Sequence, residues 1–350
     1  MAIQPIFLFS VSRCGSTLAQ RVIAAHEGVA TVSEPWLLLP HAYALRSEGV
    51  RAEYYHPLMV GAISDFCTQL PAGVEDYRHE SREFALRLYE KAAGAGARYF
   101  LDKSPAYYLV AEEIMRLFPE GKFIFLWRNP LSIMASIIET FNAGRWCPTV
   151  ARGDLFIGLP RLLAAYRANG ARAHSVRYED LIAGGGDAWR SMMEYLGIDF
   201  DPRTLERFAE VKLNGRMGDP TGVARYSSLD SAPAKKWKGT LANPVRRAWA
   251  RRYISYLGGE RLALMGYDAK RLLAELESQP TSTRSLALDL RELLLDVAKE
   301  PVRVRIRGGG IGGPNVIREL LAVRAGPASG SAQQQRERAR LALAVAEVQR

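Results

Sequence analysis

The sequence predicts an α/β fold in which helices cover both faces of a central parallel sheet. Along the first half of the chain, short apolar runs typical of strands alternate with stretches of helical periodicity, an order that favours a parallel sheet. The run Phe123–Trp127 is apolar at every position, which is typical of a strand buried on both faces. After Tyr178 the pattern is mostly helical, so we expect a helical C-terminal part.

Strands are predicted where short apolar runs end in polar or turn-forming residues. In chain order they are Pro5–Ser10, Val29–Ser33, Tyr99–Asp102, Lys122–Arg128 and Ala173–Tyr178. The helices predicted between them are Leu18–Ala25, 76–93, Tyr107–Phe118, Pro130–Phe141 and Gly158–Ala168. Pro130 suits the first turn of its helix, where a backbone N–H has no partner within the helix.

Beyond the last strand, helices are predicted at Asp187–Leu196, Pro202–Phe208 and Pro244–Leu257. The stretch Lys212–Gly239 is richer in Gly, Pro and Ser and indicates a long loop. A polar segment at Gln279–Thr283 marks a boundary. It divides the chain into a principal domain at residues 1–278 and a basic C-terminal extension at 279–350, expected to be partly helical and partly flexible.

The composition is that of an ordinary globular protein, with 48% hydrophobic and 24% charged residues. No apolar run is long enough to span a bilayer, and the first residues lack the basic start of a signal peptide. The three cysteines are too widely spaced for a zinc site or a disulfide framework. These observations predict a cytoplasmic protein without a membrane span.

Half of the net charge of +10 lies in the extension, where 12 Lys and Arg outnumber 7 Asp and Glu, so the extension is the more basic part per residue. In the principal domain the milder basic excess suits an anionic ligand as well as it suits nucleic acid.

The loop from Ser10 to Thr17 is a candidate anion site. It follows an apolar strand and leads directly into a helix, so its backbone N–H groups and the helix dipole favour a bound phosphate or sulfate. Arg13 adds a cation, and Ser16 and Thr17 add hydroxyl donors. The loop lacks the G-x-x-x-x-G-K-[ST] spelling that holds Mg²⁺ and a nucleotide triphosphate, so we expect no metal. An ordinary turn remains the alternative. Cys14 is interpreted as a small residue that fills a tight loop, because no His or Asp lies nearby in the sequence to make it a nucleophile.

Polar groups follow every predicted strand, and ligands bind beyond the carboxyl ends of parallel strands. Arg13 follows the first strand, Glu34 the second and Lys103 the third, while Arg128 ends the fourth and Tyr178 the fifth. Helix caps and surface charges also collect at strand ends, but five such ends together predict an anion-binding crevice with a candidate base. Ser136 lies about two helical turns after Arg128, so the two could share a second phosphate.

These segments resemble motifs of the sulfotransferase family. Ser12–Thr17 (S-R-C-G-S-T) resembles its 5′-phosphosulfate loop, P-[KR]-[SA]-G-[ST]-[ST]. Arg128–Pro130 with Ser136 resembles its 3′-phosphate motif, Asp102–Pro105 resembles [DN]-K-x-P, and Arg177–Leu181 resembles Y-E-D-L. The resemblance covers about residues 5–270, with Ser12 and Cys14 departing from the common loop.

The resemblance implies a P-loop-like three-layer sandwich. It also implies transfer of a sulfuryl group from 3′-phosphoadenosine-5′-phosphosulfate, with 3′-phosphoadenosine-5′-phosphate as product and no metal. The donor-binding residues that it implies are Arg13, Cys14, Gly15, Ser16, Thr17, Arg128, Ser136, Tyr178, Lys236, Trp237 and Lys238. Lys103 and Arg13 would stabilise charge on the transferred group. The last three binding residues belong to a basic segment that in many members closes over the nucleotide; a solvated basic face is the alternative.

Glu34 is the expected general base. Cytosolic animal members use a His, which has no counterpart here, whereas tyrosylprotein and trehalose sulfotransferases use a Glu shortly after the second strand. Alternatively, Glu34 only pairs with Arg13 or caps a helix. The acceptor would be a hydroxyl of a small molecule, carbohydrate or natural product, bound by the irregular segments 35–97 and 140–170, whose aromatic residues are Trp36, Tyr43, Tyr54, Tyr55, Phe141 and Trp146 among others.

Two other functions stay open at this point: a P-loop-type kinase using ATP and Mg²⁺, and a non-catalytic protein that binds nucleic acid or another anionic partner. The absence of G-K-[ST] from the loop counts against a kinase. If the protein is a sulfotransferase, we expect no nucleic-acid partner. The extension could dock on the domain, mediate a homodimer or remain flexible.

Overall fold

Strand β1 lies at the centre of a five-stranded, fully parallel sheet. The computed structural model describes residues 3–184, 186–215, 217–218, 230 and 232–292. The strands are β1 (Gln4–Phe9), β2 (Val29–Thr31), β3 (Tyr99–Asp102), β4 (Lys122–Trp127) and β5 (Ala173–Arg177), in the spatial order β2-β3-β1-β4-β5. In β1, Phe7 is in register with Asp102 of β3 and Phe123 of β4. The predicted parallel sheet is therefore confirmed.

Helices connect and follow these strands. They are α1 (Ser16–Ala24), α2 (Leu39–Tyr43), α3 (His56–Cys67), α4 (Val74–Ala93), α5 (Ala111–Leu117), α6 (Pro130–Asn142), α7 (Leu159–Asn169), α8 (Tyr178–Leu181), α9 (Asp187–Leu196), α10 (Thr204–Arg207), α11 (Ala232–Lys235), α12 (Trp237–Thr240), α13 (Pro244–Leu264) and α14 (Ala269–Glu277). Short 3₁₀ turns occupy Pro105–Leu109, Pro148–Ala151, Gly170–Arg172 and Phe208–Glu210, and one π-helical turn occupies Gly153–Gly158.

The sheet has helices on both faces. From β1 the chain first moves to one side, to β2, and only later to the other side, to β4 and β5. Because parallel crossovers are right-handed, these opposite directions place α1 on one face and the helices from α4 to α7 on the other. The contacts agree: α1 packs with α10, α4 with α5, and α5 with α7. The fold is thus the P-loop-like three-layer sandwich that the resemblance implies.

The core is built from aromatic rings of the central strands. Phe7, Phe9 and Phe123 stack with ring centroids 5.8–6.2 Å apart, and all three are buried. Their burial fixes β1 and β4 side by side. The reversal of direction at β1 opens a crevice at the carboxyl ends of β3, β1 and β4, which is where parallel sheets bind ligands.

Several predicted helices differ from the observed ones. The single helix predicted at Tyr107–Phe118 is a 3₁₀ turn followed by α5, because Val110 has a non-helical backbone with φ −137°. Helix α13 continues seven residues beyond the predicted Leu257, after a break at Gly258 with φ 75°. The strand predicted to reach Tyr178 ends one residue earlier, since Tyr178 begins α8.

Other elements were not predicted. Helices α2, α3 and α14 were missed, and the predicted long loop 212–239 ends in α11 and α12. Residues 216, 219–229 and 231 of that loop lie outside the described residues, as does the extension beyond residue 292. The described start of the extension contacts α13 through Asp289, a buried carboxylate that accepts hydrogen bonds from Arg246 at 2.6 and 2.9 Å.

Within the described part of the chain, no helix has both the length and the apolar character needed to cross a bilayer.

Candidate active site

The loop after β1 is the structural base of the site. Arg13 and Gly15 both have positive φ angles, 64° and 89°, and Gly15 immediately precedes α1. A Cβ on Gly15 would lie 2.3 Å from the ring of Tyr178, so no other residue fits there. No side chain caps the N-terminus of α1, so the N–H groups of its first turn remain available to an anion. The loop therefore has the geometry of an anion cradle.

Asp154 holds this loop in place through a hydrogen bond to its backbone. Its carboxylate Oδ1 accepts the backbone N–H of Ser12 at 2.8 Å, and burial raises the pKa of Asp154. Asp154 belongs to the π-helical turn Gly153–Gly158, a type of turn that is common beside functional sites. Asp154 could not be predicted as a site residue, because it lies 142 residues from Ser12 and no local pattern in the sequence marks it.

Cys14 is buried, and burial raises the pKa of its thiol. A raised pKa keeps the thiol protonated, which argues against a nucleophile. Cys14 is therefore a space-filling residue, and any contact with the donor would come from its backbone.

Arg13, Ser136 and Arg128 are brought together as the sequence predicts. Arg13 Nε donates to Ser136 Oγ at 3.2 Å, and Arg128 Nη1 donates to the backbone oxygen of Arg13 at 2.7 Å. The guanidinium of Arg128 lies 4.5 Å from the centre of the Tyr178 ring, which is buried. The phosphosulfate-type loop and the 3′-phosphate motif thus form one continuous cluster.

Ser132 is a further polar neighbour of this cluster, and it was not predicted from the sequence. It lies one helical turn before Ser136, on the same face of α6, so the spacing could have revealed it. Its hydroxyl donates to the backbone oxygen of Ala234, and Arg128 Nη2 donates to that of Pro233, both at 3.1 Å. Helix α11 is thereby fixed against the start of α6.

The three residues expected to close over the nucleotide, Lys236, Trp237 and Lys238, have different surroundings. Trp237 is buried, in a helix that packs on α6. Lys238 is paired with Glu275 at 3.2 Å, whereas Lys236 is exposed. Lys238 and Trp237 thus have structural contacts of their own, and the roles of all three toward a nucleotide stay predictions.

Glu34 and Lys103 form a direct ion pair. Lys103 Nζ lies 2.7 Å from Glu34 Oε1, with side chains only 2% and 11% exposed. Glu34 thus forms its ion pair with Lys103. The alternative interpretation had paired it with Arg13. The second oxygen, Oε2, accepts the indole N–H of Trp36 at 3.3 Å. Candidate base and candidate charge stabiliser are therefore in contact, at the ends of the adjacent strands β2 and β3.

A fully buried carboxylate, Asp102, lies behind this pair. It accepts hydrogen bonds from the hydroxyls of Tyr89 at 2.6 Å, Tyr107 at 2.9 Å and Ser104 at 3.2 Å. Burial raises the pKa of Asp102 to about 6, and these hydrogen bonds partly oppose the rise. The sequence showed Asp102 only as the neighbour of Lys103, since its partners meet only in the folded chain.

A cavity of about 440 Å³ joins the loop to the candidate base. Its lining includes Arg13, Ser16 and Thr17 from the loop and α1, and Glu34, Trp36 and Phe141. Trp36 and Phe141 are 40% and 58% exposed, so both rings are accessible to a ligand.

The other aromatic candidates for the acceptor site lie elsewhere. Trp146 is buried against Trp249, Tyr43 lies 4.9 Å from the guanidinium of Arg46, and Tyr54 and Tyr55 are exposed and do not line this cavity.

Two features of the site could each hold a negatively charged group. The uncapped N-terminus of α1 leaves backbone N–H groups available to one anion, and the buried Nε of Arg128 has no hydrogen-bond acceptor among the described residues. Both features suit negatively charged oxygens. Within the described residues no group of three or more His, Cys, Asp or Glu is arranged to hold a metal ion.

Known proteins resemble this chain over most of its length. A sequence model of the Sulfotransferase family matches residues 5–202. "Nodulation protein NoeE" of Sinorhizobium fredii (strain NBRC 101917 / NGR234) is 31% identical over 290 residues, which cover 75% of this chain and 65% of NoeE. "Protein-tyrosine sulfotransferase 2" of Gallus gallus is 24% identical over 285 residues, covering 79% and 69%. The chain thus spans slightly less than two thirds of NoeE.

Among solved structures, the "Sulfotransferase Domain from the Curacin Biosynthetic Pathway" aligns with a TM-score of 0.47 and 23% identity, covering 67% of this chain and 90% of that domain. The family match carries the assignment, because it spans more than half of the 350 residues and contains the loop, the ion pair and the 3′-phosphate motif. The chain belongs to the sulfotransferase family.

Proposed function

We propose that the protein transfers a sulfuryl group from 3′-phosphoadenosine-5′-phosphosulfate to a hydroxyl of a small-molecule, carbohydrate or natural-product acceptor. The observation that carries the proposal is the shared cavity: the anion loop at Arg13, Ser16 and Thr17 lines it together with Glu34, which contacts Lys103. A donor anion and an acceptor hydroxyl can therefore meet between a cation and a carboxylate.

The donor would be held at two points. The N–H groups of the first turn of α1, with the hydroxyls of Ser16 and Thr17, face the 5′-phosphosulfate. Arg128 and Ser136 take the 3′-phosphate, with Tyr178 beneath the guanidinium. Exposed Lys236 is a further proposed contact to the donor, because α11, which immediately precedes it, is hydrogen-bonded to Arg128 and Ser132.

The chemistry is an in-line displacement at sulfur. The donor supplies the activated sulfur and a phosphate leaving group. As the acceptor oxygen bonds to sulfur and the sulfur–phosphate oxygen bond breaks, the acceptor proton passes to Glu34, the general base. Lys103 and Arg13 offset the negative charge on the sulfuryl and leaving oxygens.

The resting Lys103–Glu34 pair suits this sequence of events. Each group neutralises the other while the cavity holds no reactants, so neither charge is buried alone. When donor and acceptor are bound, Lys103 can turn to the sulfuryl oxygens and Glu34 can accept the acceptor hydroxyl. The two roles thus require an exchange of partners rather than a rebuilt site.

The acceptor would be uncharged near the reacting hydroxyl. Among the described residues that line the cavity, Arg13 and Glu34 are the two that carry charge, and both have proposed roles in the transfer. The accessible rings of Trp36 and Phe141 suit an apolar or sugar surface. Alcohols of this kind fit better than a highly charged acceptor.

The test is a thermal-shift comparison of 3′-phosphoadenosine-5′-phosphate with ATP and Mg²⁺. We expect stabilisation by the bisphosphate without metal, because a ligand that binds only the native state raises the melting temperature. Stabilisation by ATP and Mg²⁺ alone would contradict the proposal and favour a kinase. AMP, which lacks the 3′-phosphate, is the matched control ligand in the thermal-shift comparison. A screen of alcohols with the radiolabelled donor then identifies the acceptor.

A further inference from the structure

Trp36 has an unusual backbone for so large a side chain. Its φ is 54°, in the left-handed region that bulky residues rarely adopt. Such conformations persist only where surrounding contacts impose them, and they cluster at functional sites. At the surface of a loop, an unstrained Trp would be the ordinary arrangement, so the contacts that hold this one are informative.

Two backbone N–H groups of this turn are connected to one buried carboxylate through side-chain hydroxyls. The N–H of Trp36 donates to Ser104 Oγ at 3.1 Å, and the N–H of Leu38 donates to the Tyr107 hydroxyl at 3.2 Å. Both hydroxyls in turn donate to Asp102, at 3.2 and 2.9 Å. Because Asp102 is fully buried at the end of β3, the turn is tied to the central sheet rather than to solvent.

This backbone conformation brings the indole N–H of Trp36 within hydrogen-bond distance of Glu34, the candidate base. Trp36 Nε1 donates to Glu34 Oε2 at 3.3 Å, while Lys103 Nζ holds Glu34 Oε1 at 2.7 Å. The two oxygens of Glu34 therefore have different partners. If Lys103 turns to the transferred group, Trp36 is the contact that still orients the carboxylate.

We infer that Trp36 is a positioning residue for Glu34, held in place by Ser104 and Asp102, and that its indole N–H keeps the carboxylate aimed at the acceptor when Lys103 leaves. This inference rests on the proposed function only for the role of Glu34 as base. The hydrogen bond itself can be tested without turnover, which separates the two.

The first measurement is the indole N–H spectrum of the full-length, ¹⁵N-labelled protein, which has six tryptophans. Trp36→Phe identifies the Trp36 signal by its loss. Glu34→Gln should then shift that same signal, because the carboxylate acceptor is gone, whereas Glu53→Gln, an exposed control, should leave it in place. An unmoved signal in Glu34→Gln overturns the inference.

The second measurement separates the N–H from the ring. Trp36→Phe keeps an aromatic ring and removes the donor, so we expect kcat for sulfuryl transfer to fall about tenfold while binding of 3′-phosphoadenosine-5′-phosphate is unchanged. Trp36→Gly, whose backbone suits φ 54°, should lose at least as much and guards against effects of strain. Wild-type kcat in Trp36→Phe would reduce Trp36 to a packing residue and overturn the inference.

If the wild-type protein neither binds the bisphosphate nor transfers a sulfuryl group, the proposed function fails. The indole spectrum then decides alone whether Trp36 holds Glu34.

Discussion

Lys103 Nζ and Glu34 Oε1 lie 2.7 Å apart at the carboxyl ends of the adjacent strands β3 and β2. The pair is almost entirely removed from solvent, so each side chain depends on the other for neutralisation. The proposed reaction asks these two groups to act on different substrates, Lys103 on the donor and Glu34 on the acceptor. Their contact at rest is therefore the structural feature on which the proposed mechanism turns.

Glu34→Gln should abolish turnover without abolishing donor binding. Gln can still accept a hydrogen bond from Lys103 but cannot take the acceptor proton, so we expect a loss of about 10²- to 10⁴-fold in kcat. Steady-state sulfuryl transfer and a thermal shift with 3′-phosphoadenosine-5′-phosphate measure the two effects. Glu27→Gln, at an exposed position, is the control; full activity in Glu34→Gln would refute the role of Glu34 as base.

Arg128→Lys should weaken the preference for a 3′-phosphate. The substitution keeps the charge but loses the planar fork that bonds the backbone of Arg13 and rests on Tyr178. We expect roughly 10- to 100-fold weaker binding of the bisphosphate, with little change for AMP. Calorimetric titration of both ligands measures the ratio. An equal loss for the two ligands would show that Arg128 supports the loop rather than the 3′-phosphate.

Much of the site could be predicted because parallel strands end at one edge of the sheet. Arg13, Glu34 and Lys103 each follow a different strand, and their convergence needs only the strand order and the shared direction. The short spacing of Arg128 and Ser136 on one helix is equally visible in the sequence.

The parts that escaped prediction depend on contacts between distant segments. Asp154 reaches Ser12 across 142 residues, and Tyr89 meets Asp102 only after α4 packs beside the sheet. Helix α3 was missed because its apolar residues are spread around the helix rather than gathered on one face. Three of the seven are exposed, three are half-buried and one, Cys67, is buried, so the sequence lacks the single apolar stripe that marks a helix. Long-range packing, not local propensity, decides these features.

Gly15→Ala should destabilise the protein and remove donor binding together. The backbone at φ 89° disfavours a side chain, and the new Cβ would lie 2.3 Å from the Tyr178 ring. We expect a loss of about 2–4 kcal/mol, from strain and overpacking, seen as a lower melting temperature. Gly61→Ala is the matched control, since its Cβ meets nothing within 4 Å in the interior of α3, and it should be neutral or slightly stabilising. Equal melting temperatures for the two variants would contradict the tight loop geometry.

Asp102 should make stability depend on pH in a defined window. Burial raises its pKa to about 6, above the value of about 4 expected in the unfolded chain. Between these values the native state retains a proton that the unfolded state has lost, so the free energy of unfolding falls as pH rises from about 4 through 6. The contribution is fully present below pH 4 and amounts to roughly 3 kcal/mol across the window.

Asp102→Asn cannot ionise, so its stability relative to the wild type should improve by this amount as pH rises from 4 to 7. Denaturant titrations at each pH measure the difference, with exposed Asp65→Asn as control. Parallel curves for Asp102→Asn and the wild type would show that the native carboxylate titrates normally, held ionised by Tyr89, Tyr107 and Ser104.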